Sequence, residues 1–133
     1  MKRLKIFSDG CSRGNPGQAG IGYLIYDERG EIISEGSCKI GIRTNNEVEY
    51  IAVIRALEEA IRLGAAEVEV FSDSELLVKQ IRGEYAVGSD RLKPLYQKLI
   101  DLSRSLERFE IKHVRRVENE RADRLARLAI ASE

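Results

Sequence analysis

The hydrophobic pattern of this chain changes near residue 45, and this change constrains the fold more than any other feature. Before it, three segments bounded by turn residues have the side-chain pattern of strands, with a hairpin turn at residues 27–30. They are Leu4–Phe7, Gly20–Tyr26 and Glu31–Ile40. After it, residues 46–63 carry apolar side chains at helical spacing, namely Val53, Ala56, Leu57, Ala60 and Ile61. The pattern therefore predicts an antiparallel meander followed by a helix.

The rest of the chain alternates strands with helices. The pattern predicts strands at 67–72 and 109–114, and helices at 74–82, 90–106 and 119–131. The turn residues of Cys11–Gly17 predict a loop between the first two strands. The order β-β-β-α-β-α-α-β-α predicts an α/β fold whose mixed sheet has strands 1, 4 and 5 parallel and helices on both faces.

Composition limits the class of protein. The 133 residues, 43% hydrophobic and 33% charged, fit one globular domain over 1–133, which we expect to be a monomer. No stretch approaches the ~20 apolar residues of a membrane span, and the N-terminal apolar run is too short for a signal peptide. Cys11 and Cys38 make no disulfide framework, which favours the cytoplasm and leaves their pairing open. The net charge of zero excludes a large single-sign field but not local nucleic-acid binding.

Four acidic residues from four separate elements are expected at one edge of the sheet. Asp9 and Asp73 end the first and fourth strands, which are predicted to be parallel, so both belong at the carboxyl edge. Glu49 heads the apolar stripe of the first long helix, and Asp123 lies in the first turn of the last helix. Both helices begin at that edge. The topology therefore predicts that the four carboxylates converge.

Converging carboxylates raise one another's pKa, and a divalent cation removes their repulsion. Oxygen ligands suit Mg²⁺ or Mn²⁺ rather than zinc or copper. The implied chemistry is phosphoryl transfer with two ions about 3.5–4 Å apart. The alternative is that each acid is an ordinary surface or helix-start residue, as most of the 22 acids must be. The convergence of all four favours the metal site.

Five short motifs resemble type 1 ribonuclease H, in that family's order and across essentially the whole chain. They are F-S-D-G at 7–10, G-N-P-G at 14–17, T-N-N-x-x-E-Y at 44–50, S-D-S at 72–74 and E-N-x-x-A-D at 118–123. The resemblance implies the ribonuclease H-like three-layer fold, with five strands in the order 3-2-1-4-5. It also implies an endoribonuclease that cleaves the RNA strand of RNA–DNA hybrids with two Mg²⁺ or Mn²⁺ ions, leaving 5′-phosphate and 3′-hydroxyl ends.

The resemblance also implies residue roles. The metal-binding carboxylates map onto Asp9, Glu49, Asp73 and Asp123, with Asp9 bridging both ions. Substrate contacts map onto Gly10, Cys11, Asn15, Thr44, Asn45 and Asn46, while Arg43 and Arg116 flank the site as candidate cations. Asparagine amides can donate to and accept from the 2′-hydroxyls in the wide minor groove of an A-like hybrid. Two alternatives stay open: Asn15 as a plain turn residue, and Asn45 or Asn46 as a helix cap.

Two departures from the family pattern matter. Arg116 stands where many members carry a catalytic histidine; a guanidinium can bind phosphate but cannot exchange a proton near neutral pH. His113, the only histidine, is expected on the last strand as a packing residue rather than a proton carrier. Some members insert a basic, tryptophan-bearing handle, whereas residues 83–89 are short and the chain has no Trp, which predicts modest, salt-sensitive affinity for the hybrid. Partial substitutes, or merely solvated charges, are Lys79, Arg82, Arg91 and Lys93. The same two interpretations hold for Arg121, Arg124 and Arg127.

Three other functions fit the same fold. They are a nuclease acting on double-stranded RNA or branched DNA, a non-catalytic hybrid-binding module, and a metal-binding structural domain without a nucleic-acid role. The T-N-N and G-N-P-G segments argue for hybrids. The intact acids argue against pure binding, because clustered carboxylates would repel a polyanion. Comparing hybrid, duplex RNA and duplex DNA as substrates separates these functions.

Overall fold

The computed structural model describes residues 2–131, which form five strands and four α-helices. The strands are β1 (Lys2–Gly14), β2 (Gly17–Tyr26), β3 (Ile32–Arg43), β4 (Ala65–Ser72) and β5 (Arg108–His113). The helices are α1 (Asn45–Arg62), α2 (Glu75–Ile81), α3 (Lys93–Arg104) and α4 (Glu120–Ala131), and a 3₁₀ turn at Arg116–Asn119 precedes α4. Within the described range, no helix is both long and apolar enough to span a membrane.

The sheet confirms the predicted fold class and element order. Its strand order is β3-β2-β1-β4-β5. The pairs β1–β2 and β2–β3 are antiparallel, whereas β1–β4 and β4–β5 are parallel. Strands β1, β4 and β5 therefore end at the same edge, and α1 and α4 begin there because each follows a strand that runs in that direction.

The predicted loop at Cys11–Gly17 is wrong. Strand β1 continues to Gly14 and pairs with β2 without interruption, from Lys5 opposite Tyr26 to Gly14 opposite Gly17. Only Asn15 and Pro16 remain between the two strands. Gly14 has a φ of +115°, which favours glycine at the point where the chain reverses. The turn residues therefore act at the tip of a long hairpin, and this extension carries the hairpin toward the start of α1.

The main core lies between one face of the sheet and the helices α1, α2 and α3. Alternate residues of the central strands are buried there, including Leu4, Ile6, Val68 and Val70. Helix α1 contributes its apolar stripe, and all of Val53, Ala56, Leu57 and Ala60 are fully buried. This packing fixes α1 against the carboxyl edge of β1, which is where its first turn meets the ends of the strands.

Helix α4 packs on the opposite face at very close range. A Cβ atom at Gly22 of β2 would lie 2.4 Å from the carbonyl oxygen of Ala122, and one at Gly20 would lie 2.6 Å from that of Ala126. Backbone can approach backbone this closely only where one residue lacks a side chain. The hydroxyl of Ser37 in β3 also donates to the Leu125 carbonyl at 2.6 Å. These contacts set the position of the first turn of α4.

Candidate functional site

Three carboxylates meet at the carboxyl edge of the sheet. Asp9 lies in β1, Asp73 directly follows β4, and Glu49 lies near the start of α1. One carboxylate oxygen from each residue can be chosen so that all three lie within 4.8 Å of one another. Parallel strands and a helix packed across them bring together residues that are up to 64 positions apart in sequence. The predicted convergence is therefore present for these three acids.

The fourth acid, Asp123, lies beside this group rather than inside it. It sits in the first turn of α4, in hydrogen-bonding contact with the Asp9 carboxyl, which helps to raise the pKa of Asp9. Its own Oδ2 is 3.1 Å from Nε of Arg127, one turn further along the helix. Asp123 thus borders the three-carboxylate group, and the guanidinium of Arg127 holds it partly in place.

The group is strongly electronegative when no cation is bound. Burial, followed by the charges of Glu49 and Asp73, raises the pKa of Asp9 to about 10. Burial and the charge of Asp73 raise the pKa of Glu49 to about 8, although the Gly10 amide donates to its Oε1 at 3.0 Å. At neutral pH the free group therefore retains a proton, because ionising every member costs too much.

The ligand chemistry of this group fits a hard divalent cation. Asp9, Glu49 and Asp73 offer only carboxylate oxygens, and Mg²⁺ and Mn²⁺ prefer such donors. A cation would also remove the repulsion that raises the pKa of Asp9 and Glu49. The residues present therefore satisfy both the donor type and the charge that the predicted metal site requires.

An open cleft of about 560 Å³ borders the carboxylates. Its lining includes four residues that the sequence assigned to substrate or flanking contacts, namely Gly10, Cys11, Asn45 and Arg116. Four others assigned in that way lie outside the lining: Asn15, Arg43, Thr44 and Asn46. The lining also contains Arg13, for which the sequence predicts no role, and Arg127, which the sequence leaves open between a substrate contact and a solvated charge. The spacing of Arg127, four residues after Asp123, was the available signal.

The tip of the β1–β2 hairpin is bonded to the start of α1. The backbone N–H of Asn45 donates to the side-chain Oδ1 of Asn15 at 3.0 Å, and the Ser12 hydroxyl donates to the side-chain Oδ1 of Asn45 at 2.5 Å. Asn15 is therefore more than a turn residue. The helix-cap alternative for Asn45 and Asn46 is wrong, because Thr44 is the N-cap and forms a capping box with Glu47. Both asparagines are exposed on the first turn, although Oδ1 of Asn45 already accepts from Ser12.

Arg91, one of the candidate substitutes for the handle, forms an ion pair at the start of α1. The guanidinium of Arg91 lies 3.6 Å from Oε1 of Glu47 in the capping box. Of the other proposed substitutes, Arg82 donates to the Ile111 carbonyl at 3.0 Å and Lys79 lies over the Tyr85 ring at 4.9 Å. Of these candidates, Arg91 is the one that contacts the start of α1.

His113 is exposed at the end of β5, so the expectation that it is a packing residue is wrong. The strand assignment itself is confirmed. His113 has the same strand phase as the half-buried Phe109 and the buried Ile111, but it is exposed because it is the last residue of β5.

Asn119 belongs to the E-N-x-x-A-D motif, but the sequence predicts no role for it; the structure buries it with 1% of its surface exposed. Its Nδ2 donates to the carbonyl of Ser8 at 2.8 Å and to Oδ2 of Asp73 at 3.3 Å. Its helical phase could have predicted this burial, because Asn119 precedes Ala122 and Ala126 by three and seven positions and so extends their buried stripe. A polar residue in phase with such a stripe needs a partner.

Comparison with known proteins identifies relatives that match nearly the whole chain. A family described as "Reverse transcriptase-like" matches residues 7–129. A ribonuclease HI of Halobacterium salinarum is 39% identical over 96% of this chain. The crystal structure of RNase H1 from that archaeon superposes with a TM-score of 0.96 at 38% identity, covering 98% of this chain and 99% of the other.

Two further structures agree closely. The N-terminal RNase H domain of a bifunctional protein of Mycobacterium tuberculosis has a TM-score of 0.96 at 37% identity, covering 99% and 96% of the two chains. LC11-RNase H1, isolated from compost, was solved with an RNA/DNA hybrid and has a TM-score of 0.91 at 42% identity, with 96% of each chain covered. This chain spans 64% of the full archaeal protein and 34% of the full mycobacterial one.

Proposed function

Because this chain belongs to the ribonuclease H family, we propose that it is an endonuclease that hydrolyses the RNA strand of RNA–DNA hybrids. The observation that carries the proposal is the meeting of Asp9, Glu49 and Asp73 beside an open cleft. The hybrid bound to the similar LC11-RNase H1 supports the choice of substrate. The expected products carry 5′-phosphate and 3′-hydroxyl ends.

The metal site of the proposal consists of Asp9, Glu49, Asp73 and Asp123, which would hold two Mg²⁺ or Mn²⁺ ions. Bound divalent ions supply Lewis acidity at the phosphate and a more acidic water as nucleophile. The chain contributes the arrangement of the ligands. Asp9 is fixed within a central strand, and the Gly10 amide orients Glu49 through its bond to Oε1. Ligands held on a strand and a helix keep their geometry better than ligands on loops.

Substrate contacts of the proposal lie along the cleft and the docked hairpin. The backbone of Gly10 and Cys11 lines the cleft, where the RNA strand would lie. Gly10 also lets β1 approach α1 closely, because a Cβ there would lie 2.7 Å from the Val48 backbone. The exposed amides of Asn15, Asn45 and Asn46 suit 2′-hydroxyls and base edges. For the DNA strand, Thr44 and Arg43 would lie near a phosphate, and Arg91 is held beside them through Glu47.

The test of the proposed function is a strand-resolved cleavage assay. The RNA and DNA strands of a short hybrid carry different labels, and the full chain is incubated with Mg²⁺, Mn²⁺ or EDTA. We expect shortened RNA with intact DNA in either metal, and no product in EDTA. Cleavage of duplex RNA or duplex DNA instead of the hybrid would reassign the substrate. Hybrid binding without cleavage in both metals would leave a binding module.

Arg116 is expected to act on affinity rather than on proton transfer. It lines the cleft, and its charge lowers the pKa of Glu49, which places it near the carboxylates. We expect Arg116→Ala to raise KM several-fold at low salt and to reduce the slope of log affinity against log salt by about one. At saturating Mg²⁺, where bound cations replace the effect of Arg116 on Glu49, the pH profile of kcat should keep its shape, because a guanidinium does not titrate in the working range.

The matched control is Arg124→Ala, which removes the same charge from an exposed α4 residue paired with Glu120 at 3.5 Å and outside the cleft lining. An equal rise in KM for both variants would show that only net charge matters. A change in the pH profile with Arg116→Ala alone would contradict the assigned role.

The proposed setting is a monomer in the reducing cytoplasm. In support, both Cys11 and Cys38 are free and half-buried. Burial and the neighbouring charges of Asp123 and Asp9 raise the pKa of the Cys11 thiol, which disfavours the reactive thiolate. Sedimentation and a thiol titration under non-reducing conditions test this setting.

A further inference from the structure

Asn119 bridges the two strand ends that carry Asp9 and Asp73. One of its Nδ2 bonds goes to Oδ2 of Asp73, and the other goes to the Ser8 carbonyl, which belongs to the peptide that leads into Asp9. Asn119 itself ends the 3₁₀ turn before α4, four residues ahead of Asp123. A single amide therefore connects β1, the residue after β4 and the start of α4.

The carbonyl of this amide has no partner. Oδ1 of Asn119 is buried and, within the described residues, accepts no hydrogen bond. Turning the amide around would place Oδ1 against two other acceptors, the Ser8 carbonyl and the Asp73 carboxylate. The donors of the amide therefore fix its orientation. A buried carbonyl left unsatisfied is unfavourable for stability, so the residue is poorly explained as a packing element.

We propose that Asn119 is a positioning residue for the metal site, holding Asp73 and the Ser8–Asp9 peptide at the separation that a divalent cation requires. The inference rests on the proposed function, because it concerns the same carboxylates. A neutral donor suits this role, since it orients a carboxylate without cancelling the charge that attracts the cation. Hydrogen-bond partners of ligands commonly fix ligand orientation in this way.

Two variants that lack the donors test the role. Asn119→Leu keeps the branching at the γ carbon, whereas Asn119→Ala leaves space. Mn²⁺ binding to the full chain is measured by calorimetry without nucleic acid, together with the Tm. We expect both variants to bind Mn²⁺ about tenfold more weakly than wild type, whatever their Tm. The Mg²⁺ concentration for half-maximal hybrid cleavage should rise, and excess Mg²⁺ should restore part of the rate.

The matched control is Gln80→Met, which removes another buried amide. Gln80 accepts from the Tyr50 hydroxyl at 2.6 Å and donates to the Ala86 carbonyl at 3.3 Å, outside the cleft lining. We expect it to lower the Tm and leave Mn²⁺ affinity unchanged. If folded Asn119→Leu and Asn119→Ala bind Mn²⁺ as wild type does, the inference is overturned while the proposed function stands. Wild-type protein that binds no Mn²⁺ overturns both.

A measurement on the wild type keeps the inference testable if the variants fail to fold. The chain has four asparagines, so protein labelled with ¹⁵N-asparagine gives few side-chain amide signals. Single substitutions of Asn15, Asn45 and Asn46, which are exposed, identify the remaining signal as Asn119. We expect the Asn119 amide signal to shift on titration with Mg²⁺. A signal that stays fixed while Mg²⁺ binds would overturn the inference.

Discussion

Asp9→Asn is expected to lower hybrid cleavage at least about 10³-fold while the protein stays folded, a loss of about 4 kcal/mol of transition-state stabilisation. Asp9 is the most buried of the four acids, with 5% of its surface exposed, and it contacts or faces the other three. Asparagine has the same shape but lacks the charge that attracts a cation. The readout is the initial rate of RNA-strand cleavage in saturating Mg²⁺, beside the far-UV spectrum of each protein.

The same variant should be more stable than wild type at high pH when no metal is bound. In the wild type the pKa of Asp9 is raised to about 10, against about 3.9 in an unfolded chain. The folded state therefore binds this proton more tightly than the unfolded chain. Its contribution to the free energy of unfolding is fully present below about pH 4 and is lost as the pH rises toward 10. Asparagine has no such proton, so the free energy of unfolding of the variant should increasingly exceed that of the wild type from pH 5 to pH 9.

Urea unfolding in EDTA measures this difference, which we expect to reach at least about 2 kcal/mol at pH 9. Added Mg²⁺ should raise the Tm of the wild type and have little effect on Asp9→Asn. The control is Asp101→Asn, an exposed aspartate on α3 that accepts from Gln97 at 2.9 Å. Retention of a tenth or more of the wild-type rate by Asp9→Asn would remove Asp9 from the metal site.

Gly22→Ala is expected to destabilise the protein by about 3 kcal/mol, because it forces α4 away from the sheet. The added Cβ would lie 2.4 Å from the Ala122 carbonyl oxygen and 2.5 Å from the Ala126 nitrogen, and helix backbone cannot give way locally. The helix must move as a unit, and it carries Asp123. We therefore expect a Tm lower by roughly 10 °C and a reduced cleavage rate at temperatures where the variant is folded.

Gly88→Ala is the matched control, since a Cβ there meets nothing within 4 Å. Its Tm and rate should stay close to those of the wild type. If Gly22→Ala unfolded within about 2 °C of the wild type, the close backbone contact would not be what positions α4. A normal Tm with a reduced rate would instead show that α4 shifts at little energetic cost.

The sequence predicted the topology because the hydrophobic periods of the strands and of α1 are strong and local. Asp9, Glu49 and Asp73 could be placed at one edge for the same reason, since strand direction and helix phase determine where a side chain emerges. The predicted loop at Cys11–Gly17 was wrong because turn residues show that a chain reverses, but not how far the strands continue to pair before it does. Pairing of β1 with β2 is a tertiary property.

Other features of the site depended on packing that the sequence does not express. The assignment of His113 was wrong because strand phase places it on the same face as the buried Ile111 but does not show that the strand ends there, where the side chain is exposed. The role of Asn119 was missed because its partners, the Ser8 carbonyl and Asp73, are 111 and 46 positions away. The sequence left Arg127 open between two interpretations, because its place in the cleft depends on how α4 packs against β2.

The sequence by itself determined the element order, the sheet type and the edge at which the acids gather, since these follow from periodicity and strand direction. Only the tertiary structure decided that three acids form the close group while Asp123 stands beside it with Arg127, because the glycines of β2 set how closely α4 approaches the sheet. It also decided the charge state of the group. The raised pKa values of Asp9 and Glu49 result from burial and mutual repulsion, which exist only once the chain is folded.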